Sequence, residues 1–203
     1  MIGGIQYQIV GLEKLDKEGN YVFVANHESA MDIPLVFAGL PYHLVAIAKI
    51  ELKRIPIFGW AMMAGGHFFV DRRNHAKALN SLDKAKDSMA KNPRSIIIFP
   101  EGTRSLANGL ADFKRSAAWI ALKSGFPVVP AVLSISAPIL MKDWKWYQVP
   151  PHSIEMLLEI HEPLYVEHVL ENSNYDPVSA RKFTTILQQF YEKKVIFNDN
   201  KRK

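Results

Sequence analysis

Short apolar, β-branched runs alternate along this chain with longer stretches in which apolar side chains recur at helical spacing. Residues 6–10 and 21–25 read as strands joined by the charged turn 14–20. A helix is predicted over about 31–39 and a strand over 44–48, while 50–64, with Pro56 and Gly59 inside it, reads as broken helix and loop. Residues 67–70 form another strand pattern. Between 76 and 91, Ala78, Leu79, Leu82, Ala85 and Met89 mark the apolar face of an amphipathic helix. The run 95–99 is apolar after its first residue, as a buried strand requires. A helix over 113–123 closes on Gly125, strands follow at 128–135 and 154–160, and a terminal helix covers 179–195. Pro130, inside the strand pattern 128–135, predicts an edge position or a bulge. Alternation of this kind predicts a single α/β domain over 1–203, with a mainly parallel or mixed central sheet flanked by helices.

Composition narrows the classes. At 203 residues, 48% hydrophobic and 22% charged, the chain has ordinary globular values. It has no cysteine, which excludes disulfides and thiolate metal sites. No apolar run approaches the ~18 residues of a membrane span, and the first residues lack the basic start and apolar core of a signal peptide. The net charge of +5 favours phosphates or acidic lipids as partners. Nucleic acid is not expected, since zinc-finger spacing, RNA-binding aromatic signatures and basic heptad helices are all missing. The basic tail, with Lys193, Lys194, Lys201, Arg202 and Lys203, reads as a solvated terminus.

Three strand ends carry candidate chemistry. The first is Asn26-His27-Glu28-Ser29-Ala30-Met31-Asp32, directly after the strand 21–25. Histidine exchanges a proton near neutral pH, and Asp32 can fix its tautomer and support the imidazolium. On a regular helix the two would stand about 140° apart, so they meet only if His27 lies in the turn before the helix. Asn26 and Ser29 as caps, and Pro34 in the first turn, allow this. The second is Gly66-His67-Phe68-Phe69-Val70-Asp71-Arg72, where Arg72 is a candidate phosphate ligand. The third is Phe99-Pro100-Glu101-Gly102-Thr103-Arg104-Ser105. There Gly102 permits close backbone approach, Thr103 and Ser105 supply neutral donors, and Arg104 can grip a phosphate bidentately. In an open α/β sheet such strand ends share one rim.

These motifs, in this order and followed by the strand Val128-Val129-Pro130-Ala131-Val132, resemble the glycerolipid acyltransferase family. In pattern they are most similar to the 1-acyl-sn-glycerol-3-phosphate acyltransferases, and the segment from Lys49 to Trp60 resembles that family's linking segment. The resemblance covers about residues 5–135 and implies acyl transfer from acyl-CoA or acyl carrier protein to a lysophospholipid hydroxyl, without a further cofactor. It implies His27 as base and Asp32 as its partner, with Arg72, Glu101, Gly102, Thr103 and Arg104 at the acceptor's glycerol phosphate. Lys49 and Lys114 fall in lysine-rich family segments that also face phosphate. Another lysolipid acceptor, or a lipid- or phosphate-binding module without turnover, are the competing readings. Hydrolysis ranks below them, because the chain has no G-x-S-x-G elbow. The implied place of work is peripheral, on the cytoplasmic face of a membrane. Ile57, Phe58, Trp60, Met62 and Met63 form one candidate membrane patch, although core packing is the expected fate of this set. Trp144, Trp146 and Tyr147 with Lys142 and Lys145 form another.

Overall fold

Seven strands in the order β1-β7-β6-β2-β5-β3-β4 make one mixed sheet. The strands are β1 Ile5–Val10, β2 Val22–Ala25, β3 Leu44–Lys49, β4 Phe68–Val70, β5 Ser95–Ile98, β6 Val128–Ile135 and β7 Ile154–Ile160. The computed structural model describes residues 4–71, 94–104, 110–140, 153–170 and 174–201, with several helical positions between 80 and 91. Five strands run parallel; β7 is antiparallel to β6, and β1 is parallel to β7. The helices are α1 Asp32–Gly39, α2 Phe58–Ala64, α3 Ser116–Ser124, α4 Val166–Val169 and α5 Pro177–Lys201.

Alternation along the strands builds an apolar layer on each face. Val22 and Val24 of β2, with Ile96 and Ile98 of β5, join Ala118 and Ile120 of α3 and Phe183, Leu187 and Tyr191 of α5. Phe23, Ala25 and Ile97 point the other way, to Val36 and Leu40 beside α1. Burying strands on both faces explains why 95–98 is almost wholly apolar.

Several sequence expectations change in the fold. Pro130 lies not on an edge but in β6, between β2 and β7. Its carbonyl accepts the His161 N–H at 3.0 Å, so its donorless nitrogen faces the same side, just where β7 has ended at Ile160. The missing N–H therefore forgoes only the reciprocal bond of this last pair, at the end of the β6–β7 ladder. α3 begins at Ser116, later than 113, because the Phe113 N–H donates to Gln188 Oε1 and the Lys114 N–H to the Pro100 carbonyl. α5 begins earlier than 179, with Asp176 Oδ1 accepting the N–H groups of Val178 and Ser179 and Pro177 in the first turn. The expected core packing of the α2 apolar set is also corrected: Ile57, Phe58, Trp60 and Met63 are exposed and Met62 half-buried. The second patch, at 142–147, lies outside the described residues, as do 76–79 and the tail residues Arg202 and Lys203.

Candidate active site

Strand register brings the motif-bearing ends to one level. Val24 pairs with Ile98, Ala46 with Ile97 and Lys49 with Val70. Counting on from these pairs, Asn26, Pro100, Lys49 and Val70 stand side by side along the carboxyl rim. The first and third motifs are direct neighbours there, with β3 and then β4 beyond them.

His27 lies in the turn between β2 and α1, and Asp32 is the first residue of α1. Their side chains meet at 2.9 Å, Nδ1 of His27 to Oδ2 of Asp32. The same oxygen accepts the Glu28 N–H at 2.7 Å and the Ser29 N–H at 2.8 Å. A carboxylate can only accept, so Nδ1 carries the hydrogen and Nε2 is left with its lone pair. Asp32 is fully buried, whereas the His27 side chain keeps 13% exposure. The turn is thus closed by a carboxylate reaching back over it, not by Asn26 or Ser29 capping α1. Ser29 is buried; its Oγ donates to the Ile139 carbonyl at 2.6 Å and accepts the Met31 N–H. Phe99 packs on the imidazole, with ring centroids 4.5 Å apart.

Asn26 has a different task. Its side chain donates to the Leu133 carbonyl at 2.9 Å and accepts the Leu133 N–H at 2.7 Å. Next to it, the Tyr191 hydroxyl accepts the Ala131 N–H at 2.9 Å and donates to the Val24 carbonyl. At the Ala25–Ala131 pair and beyond it, β2 and β6 are therefore joined through side chains, and the backbone at 26–27 is released to turn. Burial holds the Tyr191 phenol far above the usual range, so it remains a donor.

Glu101 is buried and ties two loops to the rim. Its Oε1 accepts the His27 N–H at 2.9 Å and its Oε2 the Ala111 N–H at 3.1 Å. Gly102 takes a φ of 75°, and its N–H donates back to the Phe99 carbonyl, closing a tight turn that favours glycine. Thr103 is exposed and Arg104 half-buried. Arg104 Nη1 donates to the Leu140 carbonyl at 2.9 Å, and that carbonyl also accepts the Ala30 N–H at 3.3 Å. One carbonyl after β6 thus bridges the first and third motifs.

The other candidates divide. Lys49 is exposed at the end of β3, and Lys114 is exposed beside the third motif, where its backbone meets Pro100. Arg72 and Ser105 lie outside the described residues. His67 is half-buried, and its Nδ1 accepts the Ala46 N–H at 2.9 Å. Burial pulls its pKa below the ordinary histidine value.

Sequence reasoning missed Tyr191, Tyr7 and the 139–140 segment. Tyr7, on β1, has a buried hydroxyl with no hydrogen-bond partner, as does Asp32 Oδ1. Burial, and secondarily the Asp32 charge, raises the Tyr7 pKa. Nothing local marks such residues, because each acts across a long sequence separation.

A strand–turn–helix motif holding a histidine–carboxylate pair presents a positioned imidazole that can accept a proton from a nucleophile. The acyltransferase family model matches residues 6–134, from β1 into β6, and the chain belongs to this family. It is 35% identical over 139 residues to the 1-acyl-sn-glycerol-3-phosphate acyltransferase of Saccharomyces cerevisiae, covering 68% of this chain and 46% of that protein. It is 33% identical over 172 residues to the enzyme of that name from Cocos nucifera, covering 74% and 54%. The chain therefore spans about half the length of these curated relatives. The crystal structure of the 1-acyl-sn-glycerophosphate acyltransferase from Thermotoga maritima aligns with a TM-score of 0.61 at 29% identity, covering 92% of this chain and 71% of that one.

Proposed function

We propose that this protein transfers a fatty acyl group from an acyl thioester to the free hydroxyl of a lysophospholipid, with 1-acyl-sn-glycerol-3-phosphate as acceptor and phosphatidic acid as product. The observation that carries this reading is the 2.9 Å contact between His27 Nδ1 and Asp32 Oδ2. The names of the relatives support the choice of acceptor.

An alcohol is a weak nucleophile because almost none of it is ionised at neutral pH. His27 Nε2 takes the hydroxyl proton as the oxygen attacks the thioester carbonyl, and Asp32 supports the imidazolium that forms. The C–O bond forms, the C–S bond breaks, and the proton passes from His27 to the departing thiolate of coenzyme A or acyl carrier protein. Every atom is accounted for without a cofactor or a covalent enzyme intermediate. Ser29 Oγ is buried and committed to backbone partners, which supports its exclusion as a nucleophile. Arg104, with Lys49, Thr103 and Lys114 around the same rim, is assigned to the acceptor's phosphate, and Arg72, outside the described residues, is assigned to it on the family resemblance of its motif alone. Glu101 and Gly102 serve this clamp by fixing its loop.

The protein works peripherally, from the cytoplasmic face of a membrane. Among the described residues no helix is long and apolar enough to cross one.

The test is a balanced assay. Purified protein, acyl-CoA or acyl-carrier-protein thioester and 1-acyl-sn-glycerol-3-phosphate should yield phosphatidic acid and free thiol in equal amounts. Thiol release that ignores the acceptor would replace the reading with hydrolysis. Acceptor binding with no turnover would replace it with a binding module, and a panel of lysolipids decides the headgroup.

A further inference from the structure

α2 and the residues before it carry an arrangement that folding alone does not call for. Within residues 55–63, Ile55, Ile57, Phe58, Trp60 and Met63 are all exposed, Ile57 at 76% and Trp60 at 64%. The buried point of this stretch is Gly59. A Cβ there would meet the Lys53 carbonyl oxygen at 2.4 Å, so α2 packs closely on the short 3-10 turn Ile50–Arg54. The large apolar side chains are thereby left out of both core layers.

The backbone at Ile57 adds a second observation. It has φ 64° and ψ −58°, and the Phe58 N–H donates to the Pro56 carbonyl at 2.7 Å. This is a γ-turn of the strained, positive-φ kind, and a β-branched residue occupies its centre. Strain and apolar exposure thus coincide at one residue, which is held outward at the apex of the patch. Strain of this sort persists only where the surrounding structure holds it, and it clusters at functional sites.

Charge and position identify the partner. Exposed Lys49, Lys53 and Arg54 border the patch against one exposed acid, Glu51, so positive charge is in excess there. Lysine and arginine beside aromatic and aliphatic side chains match a headgroup boundary, where the cations meet anionic phosphates and the apolar groups enter the acyl region. β4 pairs only with Ile47, Ala48 and Lys49 at the end of β3, so the crossover that contains α2 stays at the carboxyl rim, the rim of His27.

We infer that residues 55–63 are the surface by which this protein docks on an anionic lipid bilayer, with Ile57 and Trp60 entering the acyl boundary and Lys53 and Arg54 contacting headgroups. The inference rests on the reading that the acceptor is a membrane lipid, and it gives that site a direction: docking here presents the His27 rim to the bilayer that holds the acceptor.

The experiment is co-sedimentation of the full chain with vesicles of phosphatidylcholine alone and of phosphatidylcholine with phosphatidylserine. The wild type should bind the anionic vesicles more tightly, and added salt should weaken that binding. Ile57→Ser combined with Trp60→Ser should lower partitioning about tenfold or more. Lys53→Gln combined with Arg54→Gln should remove the preference for the anionic vesicles. Both variants should keep the wild-type melting temperature and turnover on a short-chain acceptor dispersed in detergent. Wild-type protein that stays in the supernatant overturns the docking surface and leaves acyl transfer standing. Unaltered vesicle binding by the serine variant overturns it as well, as does a dimer that this variant dissolves while lipid binding persists. Vesicle binding lost in the variants, with no transfer in the assay above, would retain the surface and remove the catalytic reading.

Discussion

The turn at 26–32 and the segment at 55–63 share one rim and are built in opposite ways. In the first, buried polar groups are held by hydrogen bonds, with Asp32 Oδ1 the exception: Asp32 Oδ2 takes three N–H groups, Asn26 pairs with Leu133, and Glu101 binds the His27 backbone. In the second, apolar groups are exposed and the backbone is bent to display them. The difference reflects what each task demands. Proton transfer tolerates little displacement of the base, and a buried hydrogen-bonded network supplies that rigidity. Contact with a fluid surface needs area and charge, and places no such demand on geometry.

That contrast can be broken at several points. The largest effect is expected at the base. His27→Ala should lower acyl transfer by about 10²- to 10⁴-fold, with far-ultraviolet circular dichroism unchanged; near-wild-type turnover would remove His27 from the reaction. Asp32→Ala should act on the whole turn, because it strips the acceptor from three N–H groups. A loss of about 3–5 kcal/mol in urea unfolding is expected, together with lost turnover. A stability change near zero would show that the carboxylate does not hold the turn.

Arg104→Ala should raise the acceptor KM about tenfold while kcat changes less, as loss of a charge-assisted contact to phosphate predicts. An unchanged KM would sever Arg104 from the acceptor. Tyr191→Phe tests positioning from a distance. It leaves the Ala131 N–H and the Val24 carbonyl short of a buried partner, at about 1–3 kcal/mol. The melting temperature should fall by about 2–4 °C per kcal/mol. In acyl transfer, kcat should drop ahead of KM, since the substrate contacts are intact; a fall in stability alone would make the residue merely structural.

The smallest effect concerns pH. The His67 pKa is lowered by burial, and its Nδ1 must stay unprotonated to accept the Ala46 N–H. The folded protein therefore binds its proton less readily than the unfolded chain does. The contribution is complete above the ordinary value of 6.5 and declines as pH falls from there through the lowered folded value. Thermal melts at about pH 7.5 and about pH 5.5 should show a loss on the acid side that His67→Gln reduces. An identical acid loss in the variant would assign it to other groups, His161 among them, whose pKa is also lowered, chiefly by burial.

Much of this was readable along the chain. Period-two and period-3.6 patterns gave the strands and most helix limits, because burial repeats every second residue along a strand and every 3.6 residues along a helix. The spacing of His27 and Asp32 was readable too, once taken as a turn followed by a helix. Other features were not. Pro130 looked like an edge residue because its neighbour's end at Ile160 is invisible to local pattern. The apolar residues of α2 looked like core because hydrophobicity says nothing of what stands opposite. Asn26 looked like a cap, since its partner Leu133 is 107 residues away.

The sequence by itself determined the α/β class, the order of the motifs and the residue types brought to each strand end, all of which follow from local periodicity and short spacing. Tertiary structure alone decided that these ends stand level, that Tyr191 and Asn26 bridge β2 and β6 beneath the His27 turn, and that α2 faces outward. The reason is physical: register, burial and long-range hydrogen bonds depend on which segments meet, and no segment carries that in its own pattern.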